Sequence, residues 1–119
     1  MTSRIAPAWV AALVCALVAC GGKTPSQAPP DALDINVTIA HGQVTPTNAD
    51  LQARVKQPIT LRVTSDVTDE LHVHSTPDHK FPVAAAPNQT FQFSVDVPGD
   101  VEVELHHLNR TIATIQVHP

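Results

Sequence analysis

Beyond Cys20 the chain contains neither cysteine nor methionine, since its sulfur-bearing residues are Met1, Cys15 and Cys20 alone. No disulfide can therefore form within residues 21–119, and a folded domain there has to be stable on its core alone. Soft sulfur ligands for a metal are excluded over the same range. Tyrosine is absent, Trp9 is the only tryptophan, and three phenylalanines complete the aromatic set, so any core is mostly aliphatic. Glycine is scarce, at four residues, and no Gly-rich phosphate loop or G-x-S-x-G elbow occurs. From about Asp34 to Pro119 there is also no stretch with apolar residues at helical spacing over three turns, which argues against a helical domain there.

Charge is low, with 7 basic and 11 acidic residues. This acidic balance argues against nucleic acid as a partner and against a polybasic membrane-surface role, because phosphates and anionic lipids would repel the domain. The N-terminus has a different character. One basic residue, Arg4, precedes an almost wholly apolar run from Ile5 to Ala19, too short to span a bilayer but right for a secretory h-region. The run ends in Leu17-Val18-Ala19-Cys20 followed by Gly21-Gly22, which resembles the bacterial lipobox, in which the cysteine is lipidated before cleavage in front of it. Cys15 does not compete, because Val14 before it is too bulky. The expectation is a lipoprotein signal peptide over residues 1–19, lipidation at Cys20, and membrane attachment through that lipid in the cell envelope. Residues 20–33, rich in Pro and small side chains, are expected to be a flexible linker.

From about Asp34 to Pro119 the sequence breaks into short alternating segments separated by Pro, Gly, Asn and Asp, and this predicts one all-β domain. Strands are expected at Ile35–Ala40, Leu51–Val55, Ile59–Thr64, Glu70–His74, Phe81–Ala84, Thr90–Val95, Val101–His106 and Thr111–Val117. Turns are expected at Asp66–Asp69, Pro98–Asp100 and Leu108–Arg110. The inward residues of three of these strands, Ile59, Leu61 and Val63, Phe91, Phe93 and Val95, and Val101, Val103 and Leu105, form the expected core.

Three of the seven histidines fall in the stretch from Asp69 to His79. Alternation puts Leu71 and Val73 on one face and Glu70, His72 and His74 on the other. Neutral imidazole is a common ligand for zinc and copper, and two histidines on one strand face can converge on an ion even though strand rise separates them by about 7 Å. An ordinary polar outer face explains the same pattern. His79 follows the strand, and His106 and His107 end another, with at most one of that pair expected to aim at His72. His41 and His118, near strand ends, are expected to be plain surface residues.

The opening strand Ile35–Ile39 with Gly42 and Pro46, the segment Ser65–His74, and the run Pro98–His106 together resemble the cupredoxin-like domains of secreted and lipid-anchored bacterial proteins. The resemblance implies a Greek-key β-sandwich in which a histidine beside the middle strand and the loop between the last two strands face one end. It places His72 at the first histidine ligand and Leu105 where blue-copper proteins carry their cysteine. With no thiolate and no thioether available, a blue-copper electron-transfer site is excluded by composition. What remains is a histidine site for Cu(II) or Zn(II), with His72, His74 and His106 as first choices, His79 and His107 as further candidates, and Glu70, Glu104 or Asp78 beside them. The alternative is a metal-free structural or interaction domain that meets another envelope protein. No nucleophile or acid–base pair points to an enzyme.

Overall fold

The computed structural model describes residues 2–3 and 32–119. Apart from residues 2–3, the predicted signal peptide lies outside the described residues, as do Cys20 and nearly all of the linker. Nine strands form in chain order: β1 Leu33–Ala40, β2 Gln43–Thr45, β3 Ala49–Arg54, β4 Ile59–Ser65, β5 Asp69–Val73, β6 His79–Val83, β7 Gln89–Phe93, β8 Gly99–Leu105 and β9 Arg110–His118. No helix occurs among the described residues. The strands make a sheet of four, in the order β2-β1-β4-β7, and a sheet of five, in the order β3-β9-β8-β5-β6. Both sheets are mixed, with β1 parallel to β4 and β3 parallel to β9. Packed face to face they form the all-β sandwich that the sequence predicts.

Period-two alternation builds the core directly. Ile35 and Val37 stand on the same rungs as Leu61 and Val63, and all four are buried. Across the sandwich Leu71, Val73, Val103, Leu105 and Ile115 are almost completely shielded from solvent. Every expected core residue is buried except Phe91, which is partly buried against the cluster. Leu105, at the position where the resemblance expects a cysteine, is 1% exposed and is simply core. In β9 a bulge opposite Val103 and Glu104 lets the consecutive residues Ile112 and Ala113 both face inward.

Several expected boundaries move. Strand β2 was absent from the sequence reading because its residues, Gln43-Val44-Thr45, are too few to show a pattern. It exists because His41 and Gly42 both adopt positive φ, 53° and 74°, and close a two-residue hairpin between Ala40 and Gln43. Gly99 and Asp100, expected in a turn, open β8, while His79, expected beyond a strand, opens β6. Asp69 is likewise no turn residue: it starts β5 and is 4% exposed.

Candidate metal centre

Strand β5 lies between β6 and β8, and its register sets the site. Leu71 pairs with Leu105, His72 with Glu104 and Val73 with Val103. The same ladder continues at both ends, where the His106 amide donates to the Glu70 carbonyl at 3.0 Å and the His74 amide to the Glu102 carbonyl at 2.9 Å. Because Leu71, Val73, Val103 and Leu105 turn inward, Glu70, His72 and His74 face outward beside His106, Glu104 and Glu102. Each rung of that outer face therefore carries one histidine and one glutamate. On the far side Lys80 of β6 is level with His72.

The histidines meet along the diagonals. His72 Nδ1 lies 3.0 Å from His106 Nε2, and the two rings are nearly perpendicular with centroids 5.0 Å apart. The His72 and His74 ring centroids are 3.8 Å apart, so the rings close the separation that strand rise imposes. One ring nitrogen from each of His72, His74 and His106 lies within 4.8 Å of the others.

Carboxylates occupy the other sides of the rings. His72 Nε2 is 2.7 Å from Asp78 Oδ1, His74 Nε2 is 3.1 Å from Glu104 Oε2, and His106 Nδ1 is 3.0 Å from Glu70 Oε1. A carboxylate accepts only, so Nε2 of His72 and of His74, which hydrogen-bond to one, carry the ring N–H, whereas His106 Nδ1 lies beside Glu70 without hydrogen-bond alignment. In a neutral ring Nδ1 of His72 and Nδ1 of His74 are then lone-pair donors. His106 Nε2, 3.0 Å from His72 Nδ1, donates to it in the tautomer that carries the N–H there and offers a second lone pair beside it in the other.

The electrostatics agree. The hydrogen bond from His72 holds the Asp78 carboxyl below the ordinary carboxylate range, assisted by the positive charges of His72, Lys80 and His74. Glu104 is lowered by its hydrogen bond with His74 and a second one with Glu102. His72 is the least exposed of the cluster, with 12% of its side chain accessible, while His74 and His106 are open to solvent at 44% and 38%. A shallow depression of about 200 Å³ beside His74, floored by Ser75, Thr76 and Pro98, gives direct access from water.

The other candidates fall elsewhere. His79 is not in the cluster: its ring stacks with Phe81 at 5.9 Å and packs against Phe93 at 5.5 Å, sealing the edge between β6 and β7. His107 turns away with the β8–β9 loop, and its Nδ1 is 3.9 Å from Asp69 Oδ1. His41 supports the β1–β2 turn by donating its amide to Asp66, and His118 pairs with Gln52 at the far edge. The expected placement at one end of the sandwich is also corrected, since the three histidines stand on the outer face of the five-stranded sheet.

No protein-family model and no curated protein matches the sequence. Solved structures do match the fold. The Cu(I)-bound metal-binding domain of the Streptococcus pneumoniae D39 Cu(I)-exporting P-type ATPase CopA aligns at a TM-score of 0.55 and 13% identity, over 78% of this chain and 92% of that one. A reduced Cu(I) form of an amicyanin mutant aligns at 0.50 and 14%, over 78% and 87%. A multi-copper oxidase from Pseudomonas thermotolerans aligns at 0.52 and 15%, over 73% of this chain but 29% of that one. The chain thus has the cupredoxin-like fold, and it presents on one sheet face a cluster of three histidines able to hold a metal.

Proposed function

We propose that this protein is a lipid-anchored envelope module that binds a divalent transition metal, Cu(II) or Zn(II), through His72, His74 and His106. The convergence of one ring nitrogen from each of the three histidines to within 4.8 Å, with His72 Nδ1 3.0 Å from His106 Nε2, carries this reading. Carboxylates that hold the second nitrogen of a metal-bound histidine orient the ring and raise its basicity, and Asp78, Glu104 and Glu70 are positioned for that role. The donor set is all imidazole with carboxylates behind it, which suits Cu(II) and Zn(II) and gives Cu(I) no sulfur ligand. Copper named in several of the structural relatives adds support for copper. The function is capture or buffering of the ion, with Cys20 as the lipidated anchor to the membrane.

The test is a Cu(II) or Zn(II) titration of residues 32–119 with any affinity tag removed, followed by His72→Ala, His74→Ala and His106→Ala. One ion per chain, lost in His72→Ala and unchanged in His41→Ala and His118→Ala, is expected. Neutral rings are the ligands and protons compete for the same lone pairs, so affinity should weaken as pH falls. Replacing Cys20 by Ala should release the protein from the membrane fraction.

One observation favours a second reading. A hydrogen bond from His106 Nε2 to His72 Nδ1 satisfies both nitrogens without a metal, and every histidine of the cluster already has a carboxylate beside it. A wild type that binds no ion at micromolar metal would leave a metal-free structural or interaction domain meeting another envelope protein.

A further inference from the structure

Asp69 buries a carboxylate on the edge of the core, and nothing in the metal-site reading uses it. None of its side chain is exposed to solvent. An ionised carboxylate in such a place is tolerated only when its oxygens are fully engaged. Oδ1 accepts from the amides of Glu70 at 2.7 Å and His107 at 2.9 Å, and Oδ2 accepts from the amide of Leu108 at 3.1 Å. Two of these donors belong to the β8–β9 turn and the third to β5 itself. A single side chain therefore clamps the turn that follows His106 onto the strand that carries His72 and His74.

This clamp acts on a ligand whose own hold is weak. His106 lies one residue past the end of β8, its side chain is 38% exposed, and its ring touches only Glu70 and His72 among the contacts that orient it. Backbone hydrogen bonds place it on either side: its own amide to the Glu70 carbonyl, and the next two amides to Asp69. Without the second set, the backbone of the turn from His106 to Asn109 is tied to β5 only through that single bond and the ladder behind it, leaving the His106 ring to its contacts with Glu70 and His72. A displacement of about 1 Å at a ligand is enough to degrade a metal or catalytic site.

We infer that Asp69 is the positioning residue of the three-histidine cluster, holding the β8–β9 turn so that His106 Nε2 meets His72 Nδ1. The metal arm of this inference rests on the proposed metal site, whereas its geometric arm stands without any metal. Asp69 makes no ligand contact; it acts through the backbone of His107 and Leu108.

The experiment uses the full chain, isotope-labelled, untagged and kept in detergent for its apolar first segment, as wild type, Asp69→Asn and Asp69→Ala. The isosteric Asn keeps one acceptor oxygen but turns an amide N–H₂ toward backbone donors, so a graded series is expected. In metal-free protein the nuclear Overhauser contact between the His72 and His106 rings should be strong in wild type, weak in Asp69→Asn and lost in Asp69→Ala, while the His72–His74 contact persists in all three. With Cu(II) added, affinity should fall about 10-fold to 100-fold, and pulsed electron paramagnetic resonance should count three imidazoles in wild type and two in Asp69→Ala. A residue that only stabilises the fold would lower the melting temperature and leave both ring contacts and imidazole count as in wild type; that result overturns the inference. If both variants fail to fold, hydrogen exchange in the wild type decides: protected amides at His107 and Leu108 support the clamp, and freely exchanging ones refute it. Absence of Cu(II) binding by wild type with loss of the ring contact in Asp69→Ala would remove the metal reading and keep the clamp.

Discussion

The two sheets alternate in the same way and yet present different chemistry to water. On the four-stranded sheet the outward residues of β1 and β4 are Asp34, Asn36 and Thr38 beside Arg62 and Thr64, with Thr90 and Gln92 of β7 beyond and Thr60 covered on the same face. Their one ion pair, Arg62 to Asp34, is long at 4.0 Å and solvated. On the five-stranded sheet the corresponding positions hold Glu70, His72 and His74 beside His106, Glu104 and Glu102, with three histidine–carboxylate contacts between 2.7 and 3.1 Å. Inward alternation specifies the fold equally on both sides. Outward composition is not needed for the fold, so a concentrated set of titratable groups on one face only is where function is sought.

The largest expected effect breaks the fold rather than the site. Leu71→Ala, on the inward side of the histidine strand, should destabilise by about 2–5 kcal/mol in chemical unfolding, because the residue is fully buried and leaves a cavity. His72→Ala, one residue away on the outward side, should change unfolding free energy by about 1 kcal/mol or less and abolish tight metal binding. Equal destabilisation by the two would mean that the outer face is structural.

A smaller effect separates ligands from their supports. Asp78→Ala should weaken metal affinity roughly 10-fold, since His72 keeps its place in the strand but loses the carboxylate that fixes its ring. Arg62→Ala on the other sheet should leave affinity unchanged and stability within about 0.5 kcal/mol.

The smallest effect concerns acid. Asp78 and Glu104 are both held below the ordinary carboxylate range by hydrogen bonds to His72 and His74. A depressed carboxyl contributes stability that is present above its unfolded value, near 4, and is lost as pH falls through the lower folded value. Unfolding of the metal-free domain should therefore show a modest loss below about pH 4, reduced in the Asp78→Asn, Glu104→Gln pair. Asp78 is exposed and Glu104 half-buried, both within reach of solvent screening, so a steep loss there would point to other carboxylates.

Much of the fold was legible because aliphatic alternation is a local signal. Ile59, Leu61 and Val63, like Val101, Val103 and Leu105, declare their inward face within one strand. His72, His74 and His106 were legible as candidates for the same reason, since each follows the outward phase of its strand. Register was not legible. Nothing local says that Glu104 stands opposite His72, or that the site lies on a sheet face rather than at the sandwich end. Asp69 was hidden more deeply, because Asp before a strand reads as a turn residue, and only the returning amides of His107 and Leu108 show it to be a buried acceptor. His79 was misplaced because its aromatic neighbours, Phe81 and Phe93, come from two different sheets.

The most direct measurement is the count of imidazoles on Cu(II) bound to the untagged wild-type domain by pulsed electron paramagnetic resonance, at neutral pH and one ion per chain. Three equatorial imidazoles, falling to two in His106→Ala and three again in His79→Ala, is the predicted result. A single imidazole, or a count unchanged by His72→Ala and His106→Ala, would contradict a metal site on this sheet face.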